Sequence, residues 1–216
     1  MMHYTIANRC EQSHEQSHMS LIALWDLGNV VVQWNPQKVR ELTGLPTDKT
    51  DVFKTPYFEA QWLELDRGTI DEAKVAEQVA ADTELRVADV ELYFASVRKT
   101  LVDFDETIDL IKEMKDKGIK MYVLSNMSIV NSVFLRKRGY FDLFDGVVIS
   151  GEEKLIKPDT ALFQLVIDRY QLDPAQVVFM DDSLPNITAA ESLGMHGVHF
   201  KGSSECYLKI RKYFRI

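Results

Sequence analysis

Cysteine is scarce in this chain, and the two cysteines present exclude several classes of protein. Cys10 and Cys206 have no metal-ligand spacing and form no disulfide framework. We therefore expect a reducing, cytoplasmic location. Long apolar runs are missing as well. The longest apolar runs in the chain end at charged residues before they are long enough to span a bilayer. The first residues show no positively charged segment followed by an apolar core, so we expect no secretion signal.

Positive charge is in deficit. Lysine and arginine number 25 against 33 aspartates and glutamates, which gives a formal net charge of −8. A polyanion would be repelled overall, so we expect neither a nucleic acid nor an anionic membrane as a partner. A small-molecule phosphate ester is still compatible with this charge, because one local cation suffices to bind a phosphate group.

What the chain does contain is an apolar segment that ends in an acid. Residues 21–25 are mostly apolar and run directly into Asp26. A continuous apolar run of this kind suits a strand that is buried on both faces, as in a parallel sheet. Ligands of open α/β sheets bind just outside the carboxyl ends of the strands. Asp26 is thus a candidate reactive carboxylate, although an aspartate is also a common first residue of a turn.

The patterning divides the chain into three regions. Residues 1–18 are polar and lack periodicity, so we predict a disordered leader. Residues 35–101 carry helix signals and no convincing strand, which predicts a small helical module inserted after the first strand. Residues 19–34 and 102–216 make up the main domain. We expect the aromatic residues of the helical module to form its own core: Phe53, Tyr57, Phe58 and Trp62.

Strand and helix patterns alternate through the main domain. Apolar runs that end near residues 124, 150, 180 and 200 are separated by amphipathic segments of helical length. This alternation predicts right-handed βαβ units, and hence an α/β fold with a parallel sheet and helices on both faces.

Polar residues that could take part in catalysis or bind a metal follow three of the predicted strands. They are Asp26, Ser125 and the pair Asp181-Asp182, and Lys157 precedes a predicted helix. Alone, Ser125 is typical of a helix N-cap and Lys157 of a solvated surface. The adjacent carboxylates repel each other, and a helix N-terminus offsets only about 1 kcal/mol of that repulsion. A divalent cation would offset it far better.

Taken together, these residues fit the transfer of a phosphoryl group to water. Asp26 would be the nucleophile that forms an aspartyl-phosphate. A Mg²⁺ ion between Asp26 and Asp182 would neutralise the phosphate oxygens. Ser125 and the backbone amide of Asn126 would donate hydrogen bonds to those oxygens, and Lys157 would supply a fixed positive charge.

Four short motifs occur in an order that resembles the haloacid dehalogenase-like (HAD) hydrolase superfamily. They are DLGNV at 26–30, LSN at 124–126, KP at 157–158 and FMDDSLPN at 179–186. The motifs are similar to those of bacterial sugar-phosphate phosphatases of the glucose-1-phosphate type and of the epoxide hydrolase phosphatase domain. The resemblance implies a Rossmann-like core and a helical cap at 35–101. It also implies a Mg²⁺ ion held by Asp26, the carbonyl of Gly28 and Asp182, with Asp181 as a weaker or indirect ligand.

One position departs from the pattern of the family. Most of its phosphatases carry a second aspartate two residues after the nucleophile as a general acid and base, and here that position is Gly28. General acid catalysis typically contributes about 10²–10⁴-fold. Our hypothesis is that the enzyme is slow, or that it prefers leaving groups needing little protonation, such as an anomeric sugar phosphate or an aryl phosphate.

The same departure keeps two alternatives open. Haloacid dehalogenases of the superfamily also lack the second aspartate, but they do not usually keep the acidic pair. A catalytically idle binding protein on the same fold is the other alternative. A nicotinamide-binding protein is disfavoured, since no G-x-G-x-x-G run follows the first strand. Candidate residues for substrate selection are Gln33, Trp34, Tyr57, Trp62 and Arg67.

Overall fold

The computed structural model describes residues 20–216, so the predicted leader at 1–18 lies outside the described residues. The five strands form one parallel sheet in the order β3-β2-β1-β4-β5. The α/β fold with a parallel sheet is therefore confirmed. The strands are β1 (Ile22–Trp25), β2 (Met121–Ser125), β3 (Gly146–Ile149), β4 (Val177–Asp181) and β5 (His196–His199).

The first strand lies at the centre of the sheet and is buried on both faces. Trp25 pairs with Val123 of β2 on one side and with Met180 of β4 on the other. Ala23 and Trp25 face one apolar core, whereas Leu24 faces a second core on the opposite side. Since both faces meet apolar layers, the strand is apolar without alternation, which explains the continuous run in the sequence.

Five α-helices follow β1 before the chain returns to the sheet. They are α1 (Pro36–Thr43), α2 (Thr47–Asp51), α3 (Pro56–Arg67), α4 (Glu72–Asp82) and α5 (Val87–Thr100). Asn35 caps α1 by accepting a hydrogen bond from the Lys38 amide at 2.9 Å, and Pro36 occupies the first turn, where its missing N–H costs nothing. Asp71 caps α4, because its carboxylate accepts a hydrogen bond from the Lys74 amide at 2.8 Å.

The remaining helices cover the two faces of the sheet. They are α6 (Asp105–Asp116), α7 (Ile129–Leu135), α8 (Ser150–Glu153), α9 (Thr160–Tyr170), α10 (Leu184–Ser192) and α11 (Ser204–Phe214). Apolar residues of α6 and α11 share one core with those of α3, α4 and α5, and α9 and α10 fill the core on the other face. In the described part of the chain, no helix combines the length and apolarity needed to span a bilayer.

Candidate active site

Asp26 lies at the carboxyl end of the central strand, as the sequence predicts. Its backbone N–H donates to the Met180 carbonyl at 2.9 Å, which extends the pairing with β4 by one residue. The carboxylate is buried, and Lys157 Nζ lies 3.0 Å from Oδ1 as an ion pair. Burial raises the pKa of Asp26 to about 6, and the charge of Lys157 only partly offsets this while the charge of Asp181 adds to it.

Lys157 is a buried cation with three oxygen neighbours, which excludes the solvated-surface interpretation. Only 3% of the residue is exposed. Its ammonium donates to Asp181 Oδ2 at 2.6 Å and to the Leu124 carbonyl at 2.9 Å, besides facing Asp26. Burial acts to lower the pKa of Lys157, but the charges of Asp26 and Asp181 outweigh it, so the pKa lies above its ordinary value. The side chain is therefore charged at neutral pH.

The side chain of Asn126 fixes the backbone from which Lys157 projects. Its Nδ2 donates to the Lys157 carbonyl at 2.9 Å, and its Oδ1 accepts from the Lys157 amide at 2.8 Å. The LSN and KP motifs are thus joined by a two-point contact. The sequence assigned only the backbone amide of Asn126 a role, so this function of the side chain was missed.

Ser125 ends β2 beside this lysine and has an unused hydroxyl. The residue is 1% exposed, and Oγ makes no hydrogen bond of good geometry among the described residues, although it lies close enough to the Asp26 carboxyl to lower the pKa of that group. The N-cap interpretation is excluded, since α7 is capped by Ser128, whose Oγ accepts from the Asn131 amide. An unpartnered hydroxyl in a buried site costs about 1–3 kcal/mol, and a bound polar ligand would remove that cost.

The two adjacent acids of the last motif have different surroundings. Asp181 is fully buried, and both of its oxygens are engaged by Lys157, by Asn186 Nδ2 and by the Ser183 amide. Asp182 is partly exposed, and its Oδ2 accepts from Asn29 Nδ2 at 2.9 Å. Asp181 thus orients the lysine, and Asp182 keeps one oxygen for a ligand.

Asn29 is a residue of the site that the sequence did not single out. Its φ is +54°, in the left-handed region that asparagine tolerates better than most residues. In this conformation its Oδ1 accepts from the Trp34 amide while its Nδ2 holds Asp182. The neighbouring Gly28 is open: a Cβ placed there would meet no atom within 4 Å.

One cavity of about 490 Å³ lies between the sheet edge and the helices α3 and α5. Its walls include Asp26, Asn126, Lys157 and Asp182, whereas Ser125 and Asp181 lie behind them and do not line it. Of the candidates for substrate selection, Trp34 and Trp62 line it, with stacked rings 5.0 Å apart. Gln33, Tyr57 and Arg67 do not line it. Trp62 therefore faces the cavity as well as the apolar core. Phe53 and Phe58 are buried, but in a core that the helical segment shares with the sheet domain and not in a separate core of its own. The cavity also contains Asp66, a buried acid that the sequence gave no reason to notice.

The carboxylates of this site fit a divalent cation. Asp26, Asp181 and Asp182 each offer an oxygen, and these oxygens lie within 4.8 Å of one another. Three acids face a single lysine, so a formal excess of two negative charges is left. Carboxylate and carbonyl oxygens are the ligands that Mg²⁺ prefers.

A parallel α/β sheet with carboxylates and a buried lysine at its carboxyl edge is the arrangement of a class of hydrolases. Residues 23–194 match the haloacid dehalogenase-like hydrolase family. The chain belongs to that family.

Individual relatives agree with this assignment. The sesquiterpene phosphatase astK of Aspergillus oryzae is 26% identical over 88% of this chain and 94% of its own length. The drimenol cyclase drtB of Aspergillus calidoustus is 28% identical over 88% of this chain, which spans only 35% of that protein. The crystal structure of a HAD family enzyme of Bacteroides thetaiotaomicron with magnesium and inorganic phosphate has the same fold. Its TM-score is 0.72, at 24% identity over 88% of this chain and 98% of that one.

Proposed function

We propose that this protein is a Mg²⁺-dependent phosphatase that hydrolyses a small phosphomonoester through an aspartyl-phosphate on Asp26. The observation that carries the proposal is that Asp26 and Lys157 form a buried ion pair at the wall of one cavity, with the Ser125 hydroxyl next to the Asp26 carboxyl. Asp26 attacks the phosphorus atom. Lys157 balances negative charge on the transferring group, and Ser125 Oγ and the Asn126 amide donate to its oxygens.

The residues that would hold the metal are Asp26, the Gly28 carbonyl and Asp182. When bound, Mg²⁺ supplies positive charge against the phosphate oxygens and favours the ionised form of Asp26. The pKa of Asp26 is raised although Lys157 is adjacent, which is consistent with a site that binds an additional cation. Asn29 supports the arrangement by holding Asp182 in place.

We assign residues 19–34 and 102–216 to a catalytic core and residues 35–101 to a cap that covers the site. The support for this division is that α3 and α5 contribute Trp62, Asp66 and Val97 to the cavity walls, opposite the motif residues of the sheet. In this arrangement the core carries the chemistry, and the cap selects the organic group.

A sugar phosphate is the substrate that the motif resemblance favours, and an ester with an apolar organic group is the other candidate. Trp34 and Trp62 offer flat aromatic surface that suits the apolar face of a sugar ring as well as a hydrocarbon chain. A phosphatase of sesquiterpenes among the relatives supports including such esters in a screen. We assign the activity to the cytoplasm, on a small molecule rather than on a nucleic acid or a membrane.

The test is phosphate release from p-nitrophenyl phosphate with Mg²⁺ and with excess EDTA, using Asp26→Asn as the control. We expect turnover that requires both the metal and Asp26. Sugar phosphates and terpenyl phosphates would then be compared. Turnover that persists in Asp26→Asn would refute the proposed nucleophile.

Dehalogenation is the second candidate, and Gly28 is the observation that favours it. Chloride release from 2-haloacids, without metal, would be its signature. Retention of the pair Asp181-Asp182 argues for the phosphatase, since attack on carbon needs no cation.

A further inference from the structure

Asp66 is a buried acid in the cavity that none of the steps above uses. It lies in the last turn of α3, its residue is 9% exposed, and it lines the same cavity as Asp26 and Lys157. Buried carboxylates are usually paired with a cation. No cation pairs with Asp66 within the described residues 20–216, so its burial needs another explanation.

The environment of Asp66 favours the protonated form. Burial raises the pKa of its carboxyl to about 7, hydrogen bonds from Trp62 and the Ser128 backbone offset this in part, and the charge of Asp26 adds to it. The charged side chains that share the cavity are Asp26, Lys157 and Asp182. Lys157 is already committed to Asp26 and Asp181, and Arg67 on the same helix lies 3.5 Å from Glu64.

The backbone around Asp66 is fixed against the core domain. Ser150 Oγ donates to the Asp66 carbonyl at 2.5 Å, and Gly68 packs so closely on Gly151 that a Cβ would collide with its carbonyl. The acid is therefore held at a set position relative to the sheet. Meanwhile the position that would carry the usual acid, Gly28, is open and has no side chain.

We propose that Asp66, from the helical segment, is the general acid and base that replaces the aspartate missing at residue 28. The inference rests on the proposed phosphatase function. As the bond between phosphorus and the ester oxygen breaks, the Asp66 carboxyl gives its proton to the leaving alkoxide and becomes a carboxylate. In the second half, that carboxylate takes a proton from the water that attacks phosphorus. The bond between phosphorus and the Asp26 oxygen then breaks. This step releases phosphate, returns Asp26 to its carboxylate form and leaves Asp66 protonated.

The test compares leaving groups in Asp66→Asn, a variant of nearly the same shape that cannot donate an acidic proton. For alkyl phosphates, whose alkoxides need a proton, we expect kcat/KM to fall about 10²–10⁴-fold. For p-nitrophenyl phosphate, whose leaving group needs little protonation, we expect a much smaller loss. Glu59→Gln removes an exposed acid from the same helix and should change neither rate. Asp66→Glu, which keeps the acid, should retain more alkyl phosphatase activity than Asp66→Asn.

A second substitution that restores the alkyl phosphatase activity of Asp66→Asn gives an independent test of the proposal. Gly28→Asp should recover alkyl phosphatase activity in the Asp66→Asn background, and by a larger factor than it raises the wild-type rate. Equal losses for both substrate types in Asp66→Asn, or no loss with alkyl phosphates, would overturn the role of Asp66 while leaving the phosphatase proposal intact. A wild-type protein that fails to hydrolyse either substrate would overturn both.

Discussion

At the scale of single residues, Gly28 is the position where this chain differs most from a complete phosphatase site. A Cβ placed there meets nothing within 4 Å, and its backbone needs no left-handed conformation, so the position can carry a Cβ without strain. We expect Gly28→Asp to hydrolyse alkyl phosphates faster than the wild type, but by a smaller factor than in the Asp66→Asn background, because Asp66 already supplies a proton in the wild type. Initial rates on a series of alkyl phosphates measure this. No acceleration on any of them would mean that proton donation does not limit the reaction.

The residues also separate by how well their roles could be predicted. Asp26 and Ser125 lie at the ends of predicted strands, and Lys157 lies 3.0 Å from Asp26, while the catalytic roles of the three residues stay predictions. Asn29 and Asp66 were not predicted, because their roles depend on partners far along the chain. Asn29 meets Asp182 across 153 residues of sequence, and no local pattern encodes that contact. The sequence shows only that an asparagine follows Gly28, and its left-handed conformation is visible in the structure alone.

At the scale of secondary-structure elements, the end of α3 packs tightly against the sheet domain at Gly151. Gly68 ends α3 in the left-handed region at φ +76°, directly on Gly151. Gly44 ends α1 in a similar conformation at φ +65°, but with open space around it. The two glycines form a matched pair that separates backbone strain from close packing.

We expect Gly68→Ala to destabilise the protein more than Gly44→Ala does. Each substitution adds about 1 kcal/mol of left-handed strain, and Gly68→Ala adds an overpacking cost of about 1–3 kcal/mol. Urea unfolding of both variants measures the difference. Equal losses would show that α3 moves away from residue 151 at little cost.

At the scale of the whole molecule, the excess of acids at the site couples metal binding to stability. A ligand that binds only the folded state stabilises it by about 2.7 kcal/mol at one hundred times its dissociation constant. We therefore expect Mg²⁺ to raise Tm, and EDTA to reverse the rise. The shift should be lost in Asp182→Asn and kept in Asp109→Asn, which removes an exposed acid on α6. A shift of equal size in all three proteins would indicate general screening instead of a site.

The buried acids also make stability depend on pH. The folded-state pKa of Asp66, about 7, lies above the ordinary value of 3.8, so the folded protein holds this proton more tightly than the unfolded chain. Its contribution to stability is complete below about pH 4 and is lost as the pH rises through about 7.

Asp66→Asn removes this titration, so its stability should fall less than that of the wild type between about pH 5 and about pH 8. Thermal unfolding of both proteins across that range measures the difference. Parallel curves would contradict a raised pKa at Asp66, whatever the outcome of the kinetic test.

The sequence by itself determined the strand pattern and the order of the four motifs. Strands buried on both faces must be apolar throughout, and the reactive residues follow them at the carboxyl edge of the sheet. The strand pattern and the motif order can therefore both be recognised from short stretches of sequence. Only the tertiary structure decided which side chains complete the site. Trp62 and Asp66 reach the cavity because α3 packs over the sheet edge, and Asn126 meets Lys157 because the segment between α8 and α9 returns to the carboxyl end of β2. Contacts of this kind depend on how distant elements pack together, which no short stretch of sequence encodes.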